Sequence, residues 1–197
     1  MNENDKYIPK VEPLETDKFF ETFGKGTRLE LLSSAFGIGK LTVRLQKFNE
    51  ATNKEEARIT GYLNADVALT FANDILTGRM AQLAKTKSAN GDAVKVFEQP
   101  GGSSKDGKTI YREISLSVGH KYIFACEQCA GKKTNTGGYV RDTSNTDIPR
   151  QIIRVGMDAQ TLKAMALMIK SEYQAYRTAQ YIRLYSVENK QTEEVLY

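Results

Sequence analysis

The chain has 197 residues, 40% of them hydrophobic and 26% charged, a composition that suits a folded core and excludes a disordered chain. No apolar run approaches the roughly 20 residues needed to cross a bilayer. The polar, acidic start predicts no secretory leader, and two cysteines argue against a disulfide scaffold, so a cytoplasmic location is expected. The net charge of +4 is unevenly placed: residues 24–156 carry 20 basic and 13 acidic side chains, whereas both ends are acidic.

Residues 1–23, with Pro9 and Pro13, predict a flexible acidic leader that Phe19, Phe20 and Phe23 dock onto the body. Thr27 to Ala35 predicts a strand, and Phe36-Gly-Ile-Gly39 a reversal. In Lys40–Phe48, Leu41, Val43 and Leu45 alternate with Lys40, Thr42, Arg44 and Gln46, the pattern of a sheet buried on one side. A polar loop over 49–57 precedes a strand around Ile59. Asn64 is placed to cap a helix whose stripe Val67, Ala68, Phe71, Ala72, Ile75 and Leu76 continues past Gly78 to about Lys85. Ser88-Ala-Asn-Gly91 is the strongest internal break.

A second run of strands follows. Val94–Gln99 leads into a turn-rich segment, Pro100 to Gly107; Thr109–Val118 and Lys121–Ala130 form a hairpin at Gly119-His120. Residues 132–147 predict a long loop around Tyr139, of a length that is uncommon unless functional. Arg150–Val155 leads to Asp158 as N-cap of a long helix. Aligning Asn64 with Asp158 sets Ala68, Phe71, Ala72 and Ile75 on Leu162, Met165, Ala166 and Ile169. The expected fold is therefore α+β: antiparallel sheets, each followed by an amphipathic helix, from a duplicated strand-strand-strand(-strand)-helix unit. Residues 24–87 form the first unit, 92–186 the second, packed with it as one domain, and 187–197 an acidic tail.

The motifs that suggest chemistry are incomplete. Cys126-Glu-Gln-Cys129 has only His120 to join it, which is short of a four-ligand zinc site. A redox pair sits at a helix N-terminus, whereas this one follows a strand. Gly37-Ile-Gly39 and Gly101-Gly102 lack the lysine–hydroxyl ending of a phosphate loop. No catalytic residue, metal or cofactor is assigned. An enzyme using Glu55-Glu56, Glu193-Glu194 or the thiols is the weakest class.

Basic and aromatic residues on strands suit a single-stranded nucleic acid, with cations tracking phosphates and rings stacking on bases. The candidate cations are Lys40, Arg44, Lys47, Arg58, Lys108, Arg112, Lys121, Lys132, Lys133 and Arg154; the candidate rings are Phe48, Tyr62, Tyr111, Tyr122 and Tyr139. Charge and stacking do not separate DNA from RNA. The expected function is non-catalytic, largely sequence-independent binding of single-stranded DNA, in replication, recombination or mobile-element DNA handling. The alternative is a structural or adaptor protein whose sheet faces and long helix bind proteins or a second copy.

Strands followed by a helix, twice over, resemble the Whirly and p15-coactivator type of single-stranded-DNA-binding protein. The resemblance is one of architecture over residues 24–186 and implies paired helices behind sheets that present basic and aromatic residues. No sequence motif carries a site residue across. The ending Gln191-Thr-Glu-Glu-Val-Leu-Tyr197 resembles, in kind, the acidic, aromatic-ended tip by which bacterial single-stranded-DNA-binding proteins recruit a protein partner.

Overall fold

A computed structural model of the chain describes residues 17–87, 93–105 and 107–194. The order of elements is β1 (Lys18–Gly24), β2 (Thr27–Leu32), β3 (Lys40–Phe48), β4 (Glu55–Asn64), α1 (Ala65–Leu76), α2 (Arg79–Lys87), β5 (Val94–Lys105), β6 (Lys108–Val118), β7 (Tyr122–Lys133), β8 (Tyr139–Arg141), β9 (Gln151–Met157) and α3 (Ala159–Glu194). The first four strands form an antiparallel meander, and the second sheet runs β5-β6-β7-β8, with β9 also on β7. Among the described residues the fold is α+β: two antiparallel sheets and three α-helices, α3 following the sheets.

Period-two alternation builds the interior. Leu29, Leu31, Leu41, Val43, Leu45, Ile59 and Leu63 of the first sheet turn inward, as do Ile114, Leu116, Phe124, Cys126, Ile153 and Val155 of the second. These meet Ala68, Phe71, Ala72 and Ile75 of α1 and Leu162, Met165, Ala166 and Ile169 of α3 in one continuous cluster. The aligned helix positions are therefore all buried, and α1 lies along α3. β1 runs against β9, and β4 against β5, β6 and β7.

Four sequence expectations are corrected. The leader ends earlier, because Lys18–Gly24 is the edge strand β1; within it Phe19 and Phe20 pack on the core, but Phe23 is 65% exposed. Pro100 and the glycines after it continue β5 instead of turning. β5 is an edge strand, where a proline without an N–H breaks no ladder bond; Gly107, at φ 74°, then makes the reversal. Gly78, at φ 77°, ends α1 and begins a second helix, since the left-handed conformation that glycine adopts freely stops α propagation. The 132–147 loop holds β8, hydrogen-bonded to β7.

The two predicted caps differ. Asp158 caps α3, its Oδ1 accepting from the Thr161 amide at 2.7 Å. Asn64 has extended backbone at the start of α1 but makes no side-chain cap bond. The helix α3 continues through residues 187–194, where a tail is expected. Residues 195–197, 1–16 and the predicted break at 88–91 lie outside the described residues.

Candidate functional site

Antiparallel partners project to the same side of a sheet. On the first sheet, registering Lys40 with Asn64, Thr42 with Tyr62, Arg44 with Thr60 and Gln46 with Arg58 puts these residues on the outer face, away from the leucines. Arg28 and Phe23 join them through their pairings with Gln46 and with each other. The face thus gathers five candidates, Lys40, Arg44, Phe48, Arg58 and Tyr62, with two that the expected list lacks, Arg28 and Phe23. Alternation in Arg28-Leu-Glu-Leu was the signal for Arg28, since Leu29 and Leu31 point inward.

The arginines of this face are not bare. Arg44 donates to Glu30 at 3.2 Å, and Arg28 bridges Glu30 at 3.3 Å and Gln46 at 2.9 Å. Gln46 reaches Glu55, which Arg58 grips at 2.9 and 2.7 Å. That grip, first of all from the Arg58 hydrogen bond, holds the Glu55 carboxyl below its ordinary value. The network covers Glu30, Thr42 and Gln46, which are buried although they sit on the outer face. Arg28, Lys40, Arg44 and Arg58 still outnumber Glu30 and Glu55, while Glu21 is answered by Lys18 at 2.6 Å. A guanidinium has five N–H donors, so one carboxylate contact leaves others for a second anion. Arg28 also stacks over Phe48, 5.4 Å from its centroid.

Where β4 meets β5 and β6, a cleft of about 190 Å³ opens, lined by Lys40, Tyr62 and Asn64 on one side and by Gln99, Gly101, Gly102, Arg112 and Tyr139 on the other. Its lining contains two cations and no carboxylate. Four candidates from separate strands converge here: Lys40, Tyr62, Arg112 and Tyr139. Glycines make the space: a Cβ at Gly102 would lie 2.6 Å from the Tyr139 ring, whereas one at Gly101 meets nothing within 4 Å. Arg112 gives Nη1 to Ser103 Oγ at 2.9 Å, and its buried Nε has no hydrogen-bond partner among the described residues. Tyr62 is 52% exposed and belongs to both the outer face and the cleft.

The outer face of the second sheet is closed by its own charges. Glu113 and Glu127 are cross-strand neighbours, a destabilising pairing of like charges that Arg141 relieves by contacting both, at 2.9 and 3.2 Å. Lys95 also binds Glu113, and Arg150 binds Glu127. Burial alone would raise the Glu113 carboxyl, but hydrogen bonds from Lys95 and Tyr111 outweigh it and leave it lowered.

Tyr111 is corrected as a stacking candidate. It is buried, it donates to Glu113 at 2.9 Å, and Arg141 covers its ring; burial first, then the Glu113 bond, push its hydroxyl up to about 12. Tyr122 packs half-buried against the core. Lys132 is tied to Asp142 at 2.9 Å and Lys47 to Glu56 at 3.1 Å. Lys108, Lys121, Lys133 and Arg154 are exposed but outside the cleft lining. A larger cavity of about 350 Å³ beside Cys129 has Arg141 and Arg150 in its wall, both already engaged by Glu127.

Cys126 and Cys129 are free thiols on opposite faces of β7, as alternation requires. Among the described residues, no group of three or more His, Cys, Asp or Glu side chains is placed to hold a metal ion. No described helix is long and apolar enough to cross a membrane.

The chain matches no protein-family profile and no curated protein. A solved structure, that of the plant transcriptional regulator PBF-2, matches over 85% of this chain and 87% of its own at 9% identity, with a TM-score of 0.48. That likeness is one of architecture, and no residue is carried over from it.

Proposed function

We propose that the protein binds single-stranded DNA, laid across the outer face of the first sheet and into the cleft beside β4. One observation carries the reading: Lys40, Tyr62, Arg112 and Tyr139, from four different strands, converge on a cleft without a carboxylate. The lysine and arginine supply phosphate contacts, and the exposed Tyr62 supplies a ring for a base. Arg28, Arg44 and Arg58 extend the cationic path, and Phe23 and Phe48 extend the aromatic one. A B-form duplex keeps its bases inside the stack, out of reach of these rings, so single strands are favoured. The strand handled is that of replication, recombination or a mobile element.

The test is binding of labelled oligo-dT and of a duplex at about 50 and 200 mM salt. Five phosphate contacts, one for each of these cations, at about 0.7 in logarithmic slope each, give a roughly hundredfold loss across that range. Arg44→Ala lowers the slope, whereas Tyr62→Ala costs about 1–3 kcal/mol at both salt concentrations. Equal binding of duplex, or none at low salt, rejects the reading. Exposed Tyr181, Leu184 and Tyr185 on α3 favour a second one, contact with another protein. It predicts salt-insensitive association and no nucleic-acid signal.

A further inference from the structure

We infer that a second copy of this chain pairs with the far half of α3, the two helices running antiparallel about a two-fold axis. The inference names an occupant for the surface on which the protein-contact reading rests, and it uses no residue of the first sheet's outer face or of the cleft. The helix divides at Tyr176. Up to that point its inner stripe, Leu162, Met165, Ala166, Ile169, Tyr173 and Tyr176, is packed on the core. The rings of Tyr173 and Tyr176 lie 5.3 and 5.5 Å from that of Phe36.

Beyond Tyr176 the helix leaves the core. From Arg177 to Tyr185 every side chain except Gln180 is exposed, on all sides of the helix, and the helical backbone continues to Glu194. Residues 177–194 thus extend the helix by about 27 Å past its packed part, at 1.5 Å per residue. Tyr181, Leu184 and Tyr185 are 55%, 59% and 69% exposed, at the i, i+3, i+4 spacing that forms one stripe. Large apolar side chains gathered on an exposed surface mark a protein contact. Helices in proteins also owe most of their stability to the packing of such a face.

The charge pattern points to the partner. Residues 177–185 contain Arg177 and Arg183 and no acidic residue, whereas residues 186–194 contain Glu188, Glu193 and Glu194 against Lys190. Two copies laid parallel set like charge on like. Antiparallel copies set the basic half of each on the acidic half of the other, and the interface is isologous, one surface serving both copies. The acidic half also lies toward the C-terminal, negative end of the helix dipole, where carboxylates are unfavourable within a single chain. Arginines from a second copy relieve that clash. The apolar stripe supplies the affinity and the charges set the direction, because exposed ion pairs contribute little to strength but much to orientation.

The experiment is sedimentation velocity of the full chain, without nucleic acid, over a range of protein concentrations. The unaltered chain is expected to reach twice the mass of one chain. Leu184→Glu puts a charge into the stripe at an exposed position away from the core, and is expected to sediment as a single chain. Arg177→Glu together with Arg183→Glu sets acid on acid and is expected to weaken pairing about tenfold or more. Adding Glu188→Arg and Glu194→Arg to that chain exchanges the signs of the two halves and is expected to restore pairing, which also shows that the altered chain folds. A single-chain mass at every concentration overturns the inference, and leaves both the single-strand reading and contact with a different protein standing. A dimer that survives Leu184→Glu lies on another surface and overturns it as well. Pairing that the arginine changes leave intact, or that the fourfold variant fails to regain, overturns the antiparallel arrangement.

Discussion

Cys126 shows how burial decides the chemistry of a single side chain. It is fully enclosed beneath Gly61 and Ile114, and burial pushes its thiol from 9.0 up to about 12. The thiolate is the reactive form, so a group held neutral in the interior is inert. Native protein at about pH 8 is expected to resist alkylation at Cys126, while Cys129, at the wall of a cavity, reacts first and chain unfolded in urea reacts at both. The sign of the pH dependence follows from the raised folded value. The unfolded thiol ionises first, so its contribution to stability is complete below pH 9.0 and is lost as the pH rises toward about 12. Mass spectrometry of labelled peptides checks the first point and urea midpoints across that interval the second. Equal labelling of native and unfolded Cys126 refutes the burial argument.

At the scale of elements, two neighbouring glycines on β5 have opposite duties. Gly102 lies under Tyr139, and an added Cβ would sit 2.5 Å from the Ile110 carbonyl oxygen and 2.6 Å from the ring. Gly102→Ala therefore forces apart β6 and the β8 segment, at about 1–3 kcal/mol for an overpacked site. Gly101 faces open space, and Gly101→Ala is expected to stay within about 0.5 kcal/mol. Urea midpoints of the two variants decide the matter, and equal destabilisation would mean that Tyr139 is not seated on Gly102.

The same strand shows what sequence could and could not reveal. Alternation located β3, β6, β7 and β9 because one face of each is apolar, and it placed Lys40 and Arg44 outward together. It failed at 100–105 because proline and glycine signal turns unless a strand is known to lie at a sheet edge. The cleft was half legible. Lys40, Tyr62, Arg112 and Tyr139 are visible as residue types, but their convergence depends on β4 crossing β5 and β6, a contact with no local signature. Asn64 reads as a cap, and only the geometry shows its side chain unused. Tyr111 reads as an open ring, and only the pairing of Glu113 with Arg141 shows why it is covered.

For the whole molecule the decisive residue is Phe71. It belongs to α1, but its ring lies 4.3 Å from that of Phe97 on β5 and 6.2 Å from that of Phe124 on β7. The core of one strand-helix unit is thus completed by rings of the other, and neither sheet has an interior of its own. Truncating Phe71 to alanine removes a fully buried ring and is expected to cost about 3–5 kcal/mol. The chain's tyrosines turn this into a test of cooperativity. Tyr62 is the only described tyrosine before β5, whereas Tyr111, Tyr122 and Tyr139 report on the second sheet. If the two units unfold as one, Phe71→Ala in the first shifts the tyrosine-fluorescence midpoint of the second, by the same amount as the far-ultraviolet circular dichroism. A fluorescence midpoint that stays in place while the circular dichroism splits into two steps would mean that the second unit stands alone and that the shared core does not bind them into one folding body.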